Sequence, residues 1–301
     1  MTRTVDPRGL QIAIGASVIW GVMPLYWHLL RGVPAFQVTL HRILWSAVLV
    51  CAWLGIARGR GWLRATLAQP RAAGLLAVSG MLIALNWGLY IWAVNAGHVV
   101  ESSLGYFINP LLNVLLGTLV FRERLTRMQT ASVLLATLGV AWLTWRLGEP
   151  PWIALVLASS FAAYGVIRKV VAVDSVSGLA VESLYLVGPA VALIAWSWQR
   201  GESDFAGAWW PGIDVLLVVS GALTALPLIG FAYAVRRIPL STVGLLQYVA
   251  PTLQFLIGVL VFKEAFDRDR AIGFAFIWIA LALFAGEGAW RTRRRAAALP
   301  G

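Results

Sequence analysis

The sequence predicts an all-α membrane protein with ten transmembrane helices in two inverted five-helix repeats and both termini cytoplasmic. Three observations carry that prediction. The 301 residues are 60% hydrophobic and only 12% charged, with a mean hydropathy of +0.79, about half the charge of a soluble domain. The apolar residues fall into ten continuous runs of roughly 18–24 residues, the length an α-helix needs to cross a bilayer. Finally, Pro110, Gly117, Phe121 and Glu123 return as Pro251, Gly258, Phe262 and Glu264, always 141 residues on.

The runs lie at Leu10–Leu30, Phe36–Ile56, Ala72–Val94, Val99–Phe121, Met128–Trp145, Trp152–Val170, Gly178–Trp198, Ile213–Val235, Leu240–Phe262 and Ala271–Gly288. They lack the apolar/polar alternation of barrel strands, so helices are predicted. The first run is too long for a signal-peptide core and is read as a retained helix. It carries Trp20 and Pro24. The second carries His41 and Arg42 in its outer third. In the third, Asn86 and Tyr90 stand four apart and share a helix face, with Asn95 beyond them. The fourth begins at Glu101 and carries Tyr106, Asn109, Pro110 and Asn113. Tyr164 lies on the sixth run and Glu182 enters the seventh from the inside. Gln247, Tyr248, Pro251 and Gln254 lie on the ninth. The connection Ala57–Arg71 has room for a surface helix and no more.

Lys and Arg set the orientation. Alternate connections collect 17 basic residues on one side and 6 on the other; Arg42, inside a helix, completes the 24. The richer side contains both termini and is expected to be cytoplasmic and to contact anionic lipid. The net charge of +11 is therefore topological, and nucleic acid is not an expected partner. The lone Cys51 excludes an intrachain disulfide and a cysteine metal site.

The 141-residue offset extends beyond the four marker residues. Val78-Ser79-Gly80 falls on Val219-Ser220-Gly221, and about a third of positions in Ala77–Glu123 match without a gap. Five helices per half is an odd number, so the second half enters the membrane inverted. Antiparallel halves are a feature of many secondary carriers, whose substrate sites lie near the midplane between them. The units expected are 10–146 and 150–289, with a basic cytoplasmic tail at 290–301.

Intramembrane polar groups must find partners or water. Trp20, Asn86, Tyr90, Tyr106, Asn109, Asn113, Tyr164, Gln247, Tyr248 and Gln254 either glue helices together or line a hydrated substrate cavity. His41, Arg42 and Glu101 are the candidates for a gate or coupling site; interfacial snorkelling or a structural Arg42–Glu101 pair is the alternative. Glu182 sits near the counterpart of Arg42 at the opposite face and is not expected to pair with it. Pro24, Pro110 and Pro251 are either static kinks or flexing points. No protease, hydrolase or phosphate-binding motif is present, so an enzyme, a cofactor and a metal are not expected. A non-transporting membrane protein, such as a lipid scramblase or an assembly partner, is the alternative to a carrier. The sequence leaves the oligomeric state open.

Several motifs carry a specific resemblance: IWGVMPLYW (19–27), HRILWS (41–46), NWGLYIWAVNAGHVVESSLGYFINPLLNVLLG (86–117), RERL (122–125), YGVIRK (164–169), LSTVGLLQYVAPTLQFLIGV (240–259) and FAFIWIAL (274–281). Together they resemble the chloramphenicol-sensitivity permease branch of the EamA family, in the drug/metabolite transporter superfamily, from about Gly15 to Gly286. The resemblance implies ten helices in two inverted repeats, an inner-membrane location and export of a small-molecule substrate. It brings no defined substrate and no set of binding residues.

Overall fold

The computed structural model describes residues 6–59, 61–96, 98–147, 151–203, 205, 207, 211–263 and 268–297. Within these spans the side chains of 91, 94, 95, 99–103, 147, 211, 270, 288, 289 and 291–297 are not described. Glu264, the Glu101 side chain and the Asn95 side chain therefore lie outside the described residues. Every regular element described is helical: α1 (Pro7–Leu29), α2 (Ala35–Arg58), α3 (Gly61–Leu67), α4 (Pro70–Asn95), α5 (Val99–Leu119), α6 (Arg127–Leu147), α7 (Trp152–Val170), α8 (Ser175–Gln199), α9 (Pro211–Val235), α10 (Leu240–Gln247), α11 (Val249–Leu260) and α12 (Arg268–Ala297). Eight described stretches are long and apolar enough to cross a membrane, and Leu104–Leu119 and Ala271–Glu287 are shorter apolar helices.

The helix boundaries have local causes. Asp6 caps α1 by accepting from the Arg8 N–H, and Pro7 follows at a position where its missing N–H costs nothing. Asp174 caps α8, accepting from the Val176 and Ser177 N–H groups. The short α3 occupies the Ala57–Arg71 connection. The predicted ninth helix is broken: α10 ends at Gln247 and α11 starts at Val249. Pro251 cannot donate to the Gln247 carbonyl, which removes the rung that would carry the helix through. Its counterpart Pro110 sits inside an unbroken α5.

Side-chain contacts at helix ends define two faces of the bundle. On one face Asp6 meets Arg237 at 3.4 Å and Arg58 meets Asp174 at 2.8 Å. There too, Lys169 lies 3.3 Å from Glu123 and donates to the Val235 and Ile238 carbonyls. These contacts gather the starts of α1, α8 and α10 and the ends of α2, α5, α7 and α9. We call this the terminus face. On the far face Tyr26 donates to the Leu216 carbonyl, Arg146 pairs with Asp269, and His28 stacks on Phe262 with ring centroids 4.9 Å apart.

The two halves interlock. Helix α1 packs on α9 and α11; its counterpart α7 packs on α4 and α5. Helix α2 packs on α9, and its counterpart α8 on α4; α2 and α8 also meet each other, as do α5 and α10, and α6 and α12. Exchanging the halves maps this set of contacts onto itself. Two residues touch their own 141-residue counterparts, which places them on the axis relating the halves. The Trp20 and Phe161 rings meet edge to face at 5.7 Å, and the Tyr248 hydroxyl donates to the Phe107 carbonyl at 3.0 Å.

Apolar side chains cover both sides of this arrangement. Phe231, Tyr164, Leu240 and Val243 centre one buried cluster; Phe107, Tyr248, Phe274 and Ile277 centre another. Outside, Ile14, Val18, Val22, Leu25 and Leu29 form an exposed stripe along one face of α1, following helical spacing. Exposed Leu134, Leu138 and Trp145 continue the outer surface on α6. Such contiguous apolar surface suits lipid, not water.

Candidate functional site

Most of the amide-bearing candidates are engaged in helix–helix hydrogen bonds. Asn86 on α4 donates to the Leu157 carbonyl at 2.7 Å and to Ser160 at 2.9 Å, tying α4 to α7. Asn113 donates to Asn109 at 2.9 Å and to Gln247, tying α5 to α10. Asn109 donates to the Ala158 carbonyl at 3.5 Å. Gln254 donates to the Trp20 carbonyl at 3.0 Å, tying α11 to α1. Asn109, Asn113, Gln247 and Tyr248 are buried. Close backbone approach permits this network. A Cβ added at Gly244 on α10 would stand 2.6 Å from the Pro110 carbonyl oxygen, so α5 and α10 meet at this depth only because that residue is glycine.

Two charged clusters flank this network, one toward each face. The terminus-face cluster is sealed. Arg168, near the end of α7, and Glu182, seven residues into α8, pair at 3.3 Å with both side chains buried. Arg168 also donates to the Ser175 carbonyl at 2.8 Å. Ser79 and, at 3.4 Å, Tyr164 donate to the same carboxylate. Gly178 makes the space, since a Cβ there would sit 2.0 Å from the Arg168 Nη1. Below this cluster Glu123 accepts from the Leu240 and Ser241 N–H groups at 2.8 and 2.9 Å, satisfying orphan donors at the start of α10. Arg236, outside the membrane-spanning segments, donates to the Val173 carbonyl; burial and the nearby Arg168 charge hold its pKa below the usual arginine value.

Sequence reasoning missed this pair. It counted Arg168 among the flanking basic residues, whereas the guanidinium turns inward and is fully buried. The usable signals were a carboxylate seven residues inside an apolar helix, which requires a cation, and Tyr164 and Arg168 four apart on one face of α7. At the 141-residue offset the counterpart of Glu182 is His41, one residue from Arg42.

The far-face cluster is built around Arg42, seven residues into α2. Its guanidinium lies 4.7 Å from the Trp27 ring centroid and 5.1 Å from that of Trp87. Its Nε donates to Thr224 at 2.9 Å, and Thr224 donates onward to the Ser220 carbonyl at 2.8 Å. Tyr90 and Tyr106, which meet edge to face at 5.9 Å, lie within electrostatic reach of the guanidinium. Five helices (α1, α2, α4, α5 and α9) contribute to this group, so it lies inside the bundle. Yet Tyr90 and Tyr106 remain 36% and 45% exposed, which marks a recess open between the helices. Next to it His41 is buried and packs against Phe205 in a tilted arrangement, ring centroids 4.6 Å apart, with neither ring nitrogen hydrogen-bonded among the described residues. A small cavity lined by Trp87, Ile83, Ser183, Tyr164 and Glu182 lies between the two clusters. Among the described residues no three His, Cys, Asp or Glu side chains converge as a metal site.

The model of the EamA-like transporter family matches the chain twice, over residues 7–145 and 151–286. The chain belongs to the EamA family. The family model thus matches once in each half of the chain. The chain is 46% identical over 290 residues to Protein RarD of Streptomyces exfoliatus, covering 96% of this chain and 91% of that one. It is 44% identical over 289 residues to an uncharacterized transporter of Pseudomonas aeruginosa, covering 96% of each. It is 40% identical over 287 residues to Protein RarD of Escherichia coli, covering 95% of this chain and 97% of that one. A solved crystal structure shares the EamA chain's fold with a TM-score of 0.69, at 22% identity over 91% of this chain and 95% of the other. The EamA chain is thus a multi-pass membrane transporter of the drug/metabolite type, closely similar to the RarD proteins.

Proposed function

We propose that this chain is an inner-membrane secondary carrier that exports small organic solutes by alternating access between its inverted repeats. The observation that carries this reading is the contrast between its two faces. The terminus face is closed by Arg168–Glu182, Glu123–Lys169 and Arg58–Asp174, while the recess at Arg42, Tyr90 and Tyr106 is open. Two interlocked halves with matching contacts can reverse that arrangement by rocking about their shared axis. With both termini cytoplasmic, this form is open to the outside, and the basic residues of the terminus face meet anionic lipid. The discontinuity at Tyr248, beside the buried amides of α5, supplies the kind of broken helix on which carrier sites are built. Trp20 and Pro24 on α1, Pro110 on α5 and Pro251 on α11 are proposed as lining and flexing positions of that movement. His41 and Glu101 are the groups proposed to couple transport to protons.

Reconstitution tests this reading. Proteoliposomes are loaded with a metabolite mixture enriched by comparing cells with and without the protein, and counterflow of each candidate is followed. A carrier gives saturable, trans-stimulated exchange of at least one solute. Lipid scrambling without solute exchange would replace the reading with its alternative. Glu101→Gln is expected to remove pH dependence of that exchange, and unchanged pH dependence would exclude Glu101 as the coupling group.

A further inference from the structure

Among the described residues, the Arg42 side chain is incompletely used. A guanidinium offers five N–H donors. One, on Nε, goes to Thr224. Among the described residues the four on the Nη atoms have no hydrogen-bond acceptor, and no carboxylate forms an ion pair with them. These atoms are not sealed away either, unlike the Nε of Arg168, which is both buried and unbonded. A cation at this depth costs several kcal/mol unless it meets water or an anion. The Trp27 and Trp87 rings and the Thr224 hydroxyl hold the guanidinium in place, with the part-exposed Tyr90 and Tyr106 within its electrostatic reach. A fixed planar fork of paired N–H donors is complementary to a carboxylate, which it binds through two parallel hydrogen bonds.

We infer that Arg42 is the binding point for the carboxylate of a small organic monoanion, whose apolar body lies against Trp87, Tyr90 and Tyr106. This rests on the carrier reading and names its substrate class. The charge of the site selects a monoanion. Among the described residues Arg42 is the cation of this cluster; its neighbour His41 packs tilted against Phe205 and lies within electrostatic reach of Asp214. Tyr90 and Tyr106 offer hydroxyls and ring edges but no further positive charge, so a dianion is left half neutralised. The substrate's route onward is the cavity between Trp87 and Glu182. The Glu182 carboxylate at its end is already matched by Arg168, so a departing anion meets a neutral pair and not a bare negative charge.

Titration calorimetry of the purified full chain in detergent tests this directly. The probes are benzoate, phenylacetate and 3-phenylpropionate, each compared with its primary amide. At least one acid is expected to bind tenfold or more tightly than its amide. Arg42→Met removes that preference, and Arg42→Lys keeps part of it, because an ammonium supplies charge without the fork. Thr224→Val, which removes the hydroxyl that accepts from Arg42 and donates to the Ser220 carbonyl, weakens the acid several-fold. Circular dichroism confirms that each variant is folded. Equal binding of acid and amide, no binding of any acid, or an acid preference surviving in folded Arg42→Met would each overturn the inference. Counterflow in liposomes separates the two proposals. Flux of a neutral solute that survives in Arg42→Met overturns the carboxylate site and leaves the carrier reading. Acid binding at Arg42 without any flux overturns the carrier reading and leaves the site.

Discussion

The helix pairs α1/α2 and α7/α8 occupy equivalent places in the two halves, yet they treat charge oppositely. At the 141-residue offset Arg168 stands where α1 has Trp27, Glu182 where α2 has His41, and Ser183 where α2 has Arg42. In α7/α8 a cation and an anion neutralise each other, with hydroxyls from Ser79 and Tyr164 completing the shell. In α1/α2 the cation faces aromatic rings and an open recess. The framework repeats because helix packing depends on small residues and apolar area, which the offset preserves. The polar chemistry does not repeat: one cluster pairs its charges, and the other sets a guanidinium among aromatic rings.

The strongest way to break this comparison is to unbalance the sealed pair. Glu182→Leu leaves Arg168 buried without a counter-charge, and thermal unfolding in detergent should show a loss of about 3–5 kcal/mol. Adding Arg168→Met should recover most of that loss, because an apolar pair of similar volume costs little in such a site. Arg42→Met, at the open recess, should cost far less stability than Glu182→Leu. Equal losses at the two positions would erase the distinction.

Smaller changes sharpen it. Gly178→Ala pushes a methyl into the Arg168 guanidinium and should cost about 1–3 kcal/mol by overpacking, read from the same unfolding curves. Asn113→Ala removes the partner of Gln247 and Asn109 and should cost about 1–2 kcal/mol, the size of an interhelical hydrogen bond in a bilayer. If it also leaves transport of an identified solute unchanged, the amide network is scaffold.

The smallest effect lies at the rim of the terminus face. Burial pushes the Asp174 carboxyl up, but hydrogen bonds from Ser177 and Arg58, with the Arg58 charge, outweigh it and hold the pKa below the usual value. A carboxyl depressed in the folded state stabilises above its unfolded pKa of about 3.9. That contribution disappears as the pH falls through the lower folded value. Asp174 and Arg58 are each 45% exposed, so solvent screening keeps the contribution small. Unfolding midpoints measured from pH 6 to pH 3 should fall slightly less steeply in Asp174→Asn than in the parent chain.

How far the sequence reached follows from what each feature depends on. The apolar runs and the offset made the helices and the repeat legible, since these depend on hydropathy and chain order, whereas the interlocking of the halves appears only in the structure. The short helix at Gly61–Leu67 sits in the connection that has room for a surface helix and no more. Pro251 marked helix weakness, but the break itself falls three residues earlier at Tyr248, where the missing N–H takes effect. The joint use of Asn86, Asn109, Asn113 and Gln247 in tying helices together required knowing which faces meet. Arg168 was hidden because an arginine two residues from a helix end reads equally as a loop cation or a buried partner. Arg42 stood out because it lies inside an apolar run, but its setting between Trp27 of α1 and Trp87 of α4, with Thr224 of distant α9, depends on which helix faces meet.

The most direct measurement of the central claim is side-specific labelling on a Cys51→Ser background, which leaves no other cysteine. Tyr106→Cys probes the open recess, and Ser183→Cys probes the cavity above the sealed pair. A membrane-impermeant maleimide should label Tyr106→Cys from the far face only. Ser183→Cys should be protected from that face and become reactive from the terminus face when transported solute drives the chain through its cycle. Labelling of both positions from both faces at once would describe an open channel, and protection of both under every condition would describe a dry scaffold. Either result would contradict alternating access.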